Sequence, residues 1–203
     1  MNCELKIKVC GMREPDNIRA VEQLGIDWMG FIFWPGSSRY VARRPAYLPI
    51  RCRRVGVFVD APLADVLQRA EEYALDFIQL HGHESAEYVR QLRPYGIIKA
   101  FNIASTDDLA QVAAYEGLVD YFLFDTKGRS VGGNGEKFDW TVLSAYNGPT
   151  PFLLSGGIGP DDAARVRQFR HPRCVGIDLN SRFELSPGLK DIEKLKRFLY
   201  EQD

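Results

Sequence analysis

Eight short apolar runs recur along this chain, beginning near residues 5, 28, 54, 76, 97, 120, 151 and 174. The spacing is that of a β-strand followed by a crossover helix. Several runs are apolar without alternation, as in Trp28-Met-Gly-Phe-Ile-Phe33, Val55-Gly-Val-Phe-Val59 and Pro151-Phe-Leu-Leu154. Strands covered on both faces read this way. The first run is different. Leu5, Ile7 and Val9 alternate with Glu4, Lys6 and Lys8, which predicts a strand with one buried face. Helical spacing fills most of the intervals. It appears at Ile18, Val21 and Leu24 before Gly25, and at Leu63, Val66, Leu67 and Ala70. Further helices are predicted over 84–92, from Thr106, from Phe138, over 161–169 and from Pro187. Pro45 and Pro49 leave room only for a short helix after the second strand. Eight β-α units in 203 residues predict an α/β fold, a compact (β/α)8 TIM barrel forming one domain over residues 1–203. A doubly wound open sheet is the alternative. It would need a Gly-rich first β-α turn, where this chain has only Gly11.

With 45% hydrophobic residues and a formal net charge of −1, the chain has a core-forming composition and no electrostatic case for nucleic-acid or anionic-membrane partners. The arginines crowded between Arg39 and Arg54 predict a mostly solvated loop face. Cys3, Cys10, Cys52 and Cys174 are scattered without a C-x-x-C pair, which suggests a reducing compartment and no zinc site. The N-terminus has no apolar signal core, and no run approaches a membrane span. A cytoplasmic protein is expected.

In a barrel of this kind the chemistry gathers at the C-terminal ends of the strands. The first strand offers Cys10 there, with Gly11 to turn the chain. Cys10 reads either as a buried core residue or as a catalytic thiol, the latter needing a modest downward shift from its ordinary pKa to act as a base. Arg39 follows the second strand and has the geometry to clamp a carboxylate in two places. Gln79 and His81 end the fourth strand. Asp125 closes the apolar run Tyr121-Phe-Leu-Phe-Asp125. It reads as a partly desolvated general acid, or as an N-cap or partner of Lys127. Ser155, Gly156 and Gly157 follow the seventh strand, and Asp178, Asn180 and Ser181 the eighth. These two loops are the usual phosphate site of such barrels. His81 and His83 lack a third spaced ligand, so no metal is expected. No G-x-G-x-x-G or Walker motif is present. The Gly-rich stretch Lys127 to Lys137 reads as a lid or as a plain surface loop.

The chain also resembles the phosphoribosylanthranilate isomerase family, from Lys8 to about Lys194. The matching motifs are Lys8-Val-Cys-Gly11, Gly30-Phe-Ile-Phe33, Ser38-Arg-Tyr40, Val55-Gly-Val-Phe58, Gln79-Leu-His-Gly82, Asp125-Thr-Lys127, Gly132-Gly-Asn-Gly135, Phe138-Asp-Trp140, Ser155-Gly-Gly157 and Pro187-Gly-Leu-Lys-Asp191. The resemblance implies an Amadori rearrangement of N-(5-phosphoribosyl)anthranilate in tryptophan biosynthesis, without metal or cofactor. It implies Asp125 as general acid and Cys10 as general base. It further implies Arg39 on the anthranilate carboxylate and phosphate on the Gly156–Gly157 loop and the turn after strand eight. Gln79, His81 and Asp178 are the remaining candidates for substrate contact. No fused synthase domain is expected. The chain departs from the family pattern at Asn134, Ser155 and Arg182, the last replacing a glycine of the phosphate turn. Two other readings stay open. One is a related aminoimidazole phosphosugar isomerase, which would more naturally pair two carboxylates. The other is a non-catalytic barrel that binds a phosphoribosyl ligand.

Overall fold

The computed structural model describes residues 5–125 and 139–200. Eight parallel strands close a barrel in sequence order: β1 (Lys6–Val9), β2 (Trp28–Ile32), β3 (Arg53–Phe58), β4 (Phe77–Leu80), β5 (Gly96–Asn102), β6 (Tyr121–Asp125), β7 (Phe152–Ser155) and β8 (Cys174–Leu179). β8 returns to β1 with Lys8 opposite Asp178 and Val9 opposite Leu179. Closure rules out the open doubly wound sheet.

Two shells of apolar side chains hold the barrel. Outward-facing residues such as Val9, Met29, Phe31, Phe122, Phe124 and Leu179 form a continuous core with the surrounding helices. Inside, Trp28, Val55, Phe77, Ile98, Ala100, Leu123 and Leu153 make a separate layer. Trp28 lies against Phe77 and Tyr121 at ring separations of 5.1 and 5.0 Å. Above that layer Cys10, Ile32 and Val57 form a small third cluster. The interior is therefore a filled stack that plugs the barrel below its mouth.

The first strand departs from its predicted pattern. Val9 is fully buried against the outer shell, and Lys8 is also fully buried, on the face that looks into the barrel. Both faces of β1 are covered, and the lysine on the apparently polar face has a buried carboxylate to meet.

The connections are shorter than periodicity suggested. α1 (Pro15–Glu22) starts at Pro15, a residue suited to a first helical position. α2 (Leu63–Tyr73) has the predicted bounds, and α3 (Ala86–Arg90) is a five-residue core of the helix expected over 84–92. No helix follows β2. The segment there is held by a bridge between Ile32 and Tyr40, and the prolines leave it irregular. Arg54 is tied into it, with Nε donating to Pro49 O at 2.8 Å and Nη1 to Tyr73 O at 3.0 Å. The segments Thr106–Tyr115 and Trp140–Ala145 are 3-10 helices. A 3-10 helix rises about 2.0 Å per residue against about 1.5 Å for an α-helix, so a short segment can run back along a strand. Residues 161–169 divide into a 3-10 turn and α4 (Ala163–Gln168).

The helix predicted to open at Pro187 does not. Glu184–Ser186 (β9) and Leu189–Lys190 (β10) form an antiparallel hairpin around Pro187 and Gly188. Only then does α5 (Ile192–Tyr200) begin, with Asp191 Oδ1 accepting from the Glu193 and Lys194 amides at 3.1 Å.

The interior layer gives a direct test. Leu123→Ala removes a fully buried side chain from a stack with no room to collapse. It is expected to lower stability by about 2–5 kcal/mol in equilibrium urea unfolding. A loss well below 1 kcal/mol would mean that the layer is not packed as described.

Candidate active site

The ends of β1, β4, β6, β7 and β8 enclose a cavity of about 220 Å³. Cys10, Gln79, His81, Asp125, Ser155, Gly156, Gly157, Asp178, Asn180 and Ser181 all line it, with Ile32, Val57 and Ile158 as its apolar walls. Ten of the predicted site residues thus come together at one mouth. Arg39, the eleventh, is not in the wall.

Cys10 sits just past β1, its amide donating to Leu179 O at 2.9 Å. It is 3% exposed. A Cβ on Gly30 of β2 would lie 2.6 Å from Cys10 Sγ, so the sulfur occupies space that only a glycine leaves free. Gly11 then takes φ +80°, the left-handed turn expected for it. Burial pushes the thiol above its ordinary pKa, against the pull of Lys8 and Lys190, and Asp178 adds to the rise. Action as a base near neutrality needs the opposite shift. The ionisation of Cys10 depends on the cations beside it.

Lys8 is the nearest of these cations and was not a sequence candidate. Its ammonium donates to Asp178 Oδ1 at 2.8 Å, with both side chains buried. Burial works against the charge on Lys8, but Asp178 and Cys10 outweigh it and hold the pKa above its ordinary value. The other oxygen of Asp178 faces Ser155 Oγ at 3.4 Å.

Asp125 ends β6, with β7 and β8 between it and Cys10 on the shorter way round. Its backbone carbonyl accepts from the Ile103 amide at 3.1 Å. His81 Nε2 stands 3.6 Å from Asp125 Oδ2. Gln79 Nε2 is 3.1 Å from His81 Nδ1. With the amide as donor, Nδ1 accepts and the ring hydrogen lies on Nε2, toward the carboxylate. Gln79 Oε1 is buried without a hydrogen-bond partner among the described residues. The possible pairing of Asp125 with Lys127, and the lid reading of 127–137, lie outside the described residues.

The loop after β7 turns through two left-handed glycines. Gly156 and Gly157 have φ of +95° and +66°, and a Cβ on Gly157 would meet nothing within 4 Å. Facing it, Ser181–Phe183 is a 3-10 turn. Arg182 does not break this turn. It is exposed, with its Cβ 3.6 Å from where a Cβ on Gly159 would stand. Asn180 Oδ1 is engaged by Lys190 Nζ at 2.8 Å.

Arg39 is held just outside the wall. Nε lies 2.9 and 3.0 Å from the two Glu184 oxygens, and Nη2 donates to Oε2 at 2.6 Å. Glu184 also accepts from Lys190 Nζ at 2.7 Å and from the Gly188 amide at 3.1 Å. The β9–β10 hairpin thus carries Glu184, which both Arg39 and Lys190 bond. Lys190 falls inside the Pro187–Asp191 motif, but nothing in the spacing marks Glu184 as the partner of Arg39 and Lys190. Among the described residues no group of three or more His, Cys, Asp or Glu side chains is placed to hold a metal ion.

Residues 7–201 match the family model of N-(5'-phosphoribosyl)anthranilate (PRA) isomerase. The chain is 53% identical over 195 residues to the N-(5'-phosphoribosyl)anthranilate isomerase of Phocaeicola vulgatus, covering 95% of each. It is 53% identical over 201 residues to that of Parabacteroides distasonis, covering 95% of this chain and 91% of the relative. It is similar to the crystal structure of phosphoribosyl anthranilate isomerase from Thermotoga maritima, with a TM-score of 0.82 and 29% identity over 97% of both chains. A phosphoribosyl anthranilate isomerase solved in complex with reduced 1-(o-carboxyphenylamino)-1-deoxyribulose 5-phosphate gives a TM-score of 0.81 at 28% identity over 97% of both.

The Arg39 anchor makes stability depend on pH. Burial raises the Glu184 carboxyl, but Arg39, Lys190 and the Gly188 amide outweigh it and hold the group below its ordinary value of 4.5. A carboxylate depressed in the folded state stabilises the fold above its unfolded pKa, and this is lost as pH falls through the folded value. The urea-midpoint deficit of Glu184→Gln relative to the parent should therefore be full at neutrality. It should shrink once pH drops below about 4.5. A deficit that stays constant down to about pH 3 would contradict the anchor.

Proposed function

The chain belongs to the N-(5'-phosphoribosyl)anthranilate isomerase family, and from that premise we propose that Cys10 and Asp125 carry its acid–base steps. The reaction converts N-(5'-phosphoribosyl)anthranilate to 1-(2-carboxyphenylamino)-1-deoxyribulose 5-phosphate in tryptophan biosynthesis. The observation that carries the assignment is that a thiol and a carboxyl from two different strands line one cavity with a glycine loop.

Asp125, as the carboxylic acid, gives its proton to the ribose ring oxygen. The C1–O bond breaks, and the anilino nitrogen lone pair forms the C1=N bond of a Schiff base. Cys10, as thiolate, takes the proton from C2. The C2–H electrons form C1=C2, and the C1=N electrons return to nitrogen. This leaves the enol, which becomes the ketone when C1 gains a proton and the C2 hydroxyl loses one. Each proton passes through a side chain or solvent, and the scheme uses no cofactor. His81 Nε2, facing Asp125 at 3.6 Å, supports the carboxylate left after the first transfer.

The remaining roles follow from position. The Ser155, Gly156 and Gly157 loop and the Asn180–Ser181 turn receive the phosphate, through amides freed by the left-handed glycines. Arg39 binds the anthranilate carboxylate from the rim with the guanidinium edge that Glu184 leaves unused. Gln79 Oε1 is an acceptor for a sugar hydroxyl. Asp178, with one oxygen on Lys8, has lone pairs left for another. A reaction needing two free carboxylates, as expected of an aminoimidazole substrate, is disfavoured by that pairing. We take residues 1–203 as one barrel domain working in the cytoplasm on a small phosphorylated substrate, with no nucleic-acid or membrane partner. No helix among the described residues is long and apolar enough to cross a membrane.

Purified protein should consume freshly made phosphoribosylanthranilate, followed by the loss of anthranilate fluorescence. An unchanged signal would sink the activity. Cys10→Ala and Asp125→Asn should each lower kcat by roughly 10²–10⁴ with a much smaller effect on KM. Near-normal turnover in either variant removes that residue from the mechanism. Arg39→Ala should act mainly on KM, and an unchanged KM would exclude the carboxylate contact.

A further inference from the structure

Cys10 must be an anion when it takes the C2 proton, yet its surroundings are dry. The charged groups that face it among the described residues come from every side of the mouth. Lys8 lies two residues back on its own strand, and Asp178 is on β8. Lys190 is on β10, and Arg39 is on the loop after β2. Asp125 and His81 look on from β6 and β4 across the cavity. Arg39 and Lys190 are both bonded to Glu184, which absorbs much of their charge. Lys8 is paired too, with Asp178, but it shares the strand and the inward face of Cys10.

The placement of Lys8 follows from strand geometry. Residues 8 and 10 of an extended chain point to the same side, here the barrel interior. Lys8 is directly opposite Asp178 in the β1–β8 register. Its ammonium is bonded to Asp178 Oδ1 at 2.8 Å and is fully buried. No water reaches it. Two groups that can carry negative charge, the Asp178 carboxylate and the Cys10 sulfur, therefore share one buried cation. A buried ammonium with a single carboxylate is neutral as a pair. A second anion next to that pair would be uncompensated unless the lysine can serve both.

We propose that Lys8 is a positioning residue for the isomerisation: a shared counter-ion, bonded to Asp178 and carrying the charge of Cys10 when the thiol ionises. The assignment rests on reading Cys10 as the base. It gives Asp178 a second role besides substrate contact, because the tighter Asp178 holds the ammonium, the less of its charge is available to sulfur. Substrate hydroxyls that bond to Asp178 would loosen that hold and favour the thiolate at the moment it is needed. The pull of Lys8 on the thiol and the opposing push of Asp178 agree in sign with this arrangement.

The test needs no substrate. The rate of Cys10 alkylation by iodoacetamide is followed against pH in the full-length protein, read by mass spectrometry on the Cys10 peptide so that the other cysteines do not interfere. Lys8→Met removes the cation and should raise the midpoint of the profile by about one pH unit or more, a tenfold loss of thiolate at fixed pH. Asp178→Asn leaves the cation to sulfur alone and should lower the midpoint. Lys8→Gln keeps a donor without the charge and should behave as Lys8→Met. Should the lysine variants fail to fold, the direction of the Asp178→Asn shift decides. An unmoved midpoint, a rise in Asp178→Asn, or a parental midpoint in Lys8→Gln would overturn the proposal. Turnover by Cys10→Ala bears on the base reading alone, so the two can fail separately.

Discussion

The barrel closes over a buried ion pair. Lys8 and Asp178 are register partners on the first and last strands, and they meet inside the interior stack at 2.8 Å. Removing two charges from water is costly, and only close pairing and further hydrogen bonds offset it. An apolar pair would close the seam at less cost. The ion pair has a different consequence. It puts a cation and an anion directly beneath the mouth, within reach of Cys10, in a place where low polarisability strengthens every charge.

The rest of the site is arranged around that seam. Gly30 makes room for the sulfur from β2. The loops after β7 and β8 supply amides on one side, and β4 and β6 bring His81 and Asp125 on the other. Above the wall, Glu184 gathers Arg39 and Lys190 into a second, partly buried cluster. The two clusters do different work. The upper one fixes a guanidinium in orientation. The lower one governs an ionisation. Burial holds the Cys10 thiol above its ordinary pKa, which also makes it a poorer target for oxidation, since the thiolate is the reactive form.

The barrel was legible because its strands are short, apolar and evenly spaced, a pattern that depends only on burial. Asp125 was legible as a residue of the mouth because a polar residue at the end of an apolar run is conspicuous, as it is after Tyr-Phe-Leu-Phe. Lys8 was not. In Lys6-Ile-Lys-Val9 a lysine alternating with aliphatic residues reads as solvent-facing, and only the closing strand shows that its face is the interior. The β9–β10 hairpin is not legible because Ile192, Leu195 and Leu199 carry a real helical stripe, and Pro187 reads as its start although the helix begins only at Ile192. Glu184 and Lys190 meet Arg39 only through that hairpin, so no local pattern could connect them. The pKa of Cys10 is not legible in the sequence either. A reference thiol says nothing about how dry a site is.

The central claim is that Cys10 acts by accepting a proton and never by forming a covalent bond to the substrate. A carboxylate placed at the same point should then do the same work, at a different pH. The most direct measurement compares kcat/KM against pH for Cys10→Asp and Cys10→Ala. Cys10→Asp is predicted to keep turnover well above Cys10→Ala, with the acidic limb of its profile moved to lower pH than in the parent. Equal loss in the two variants would contradict the account.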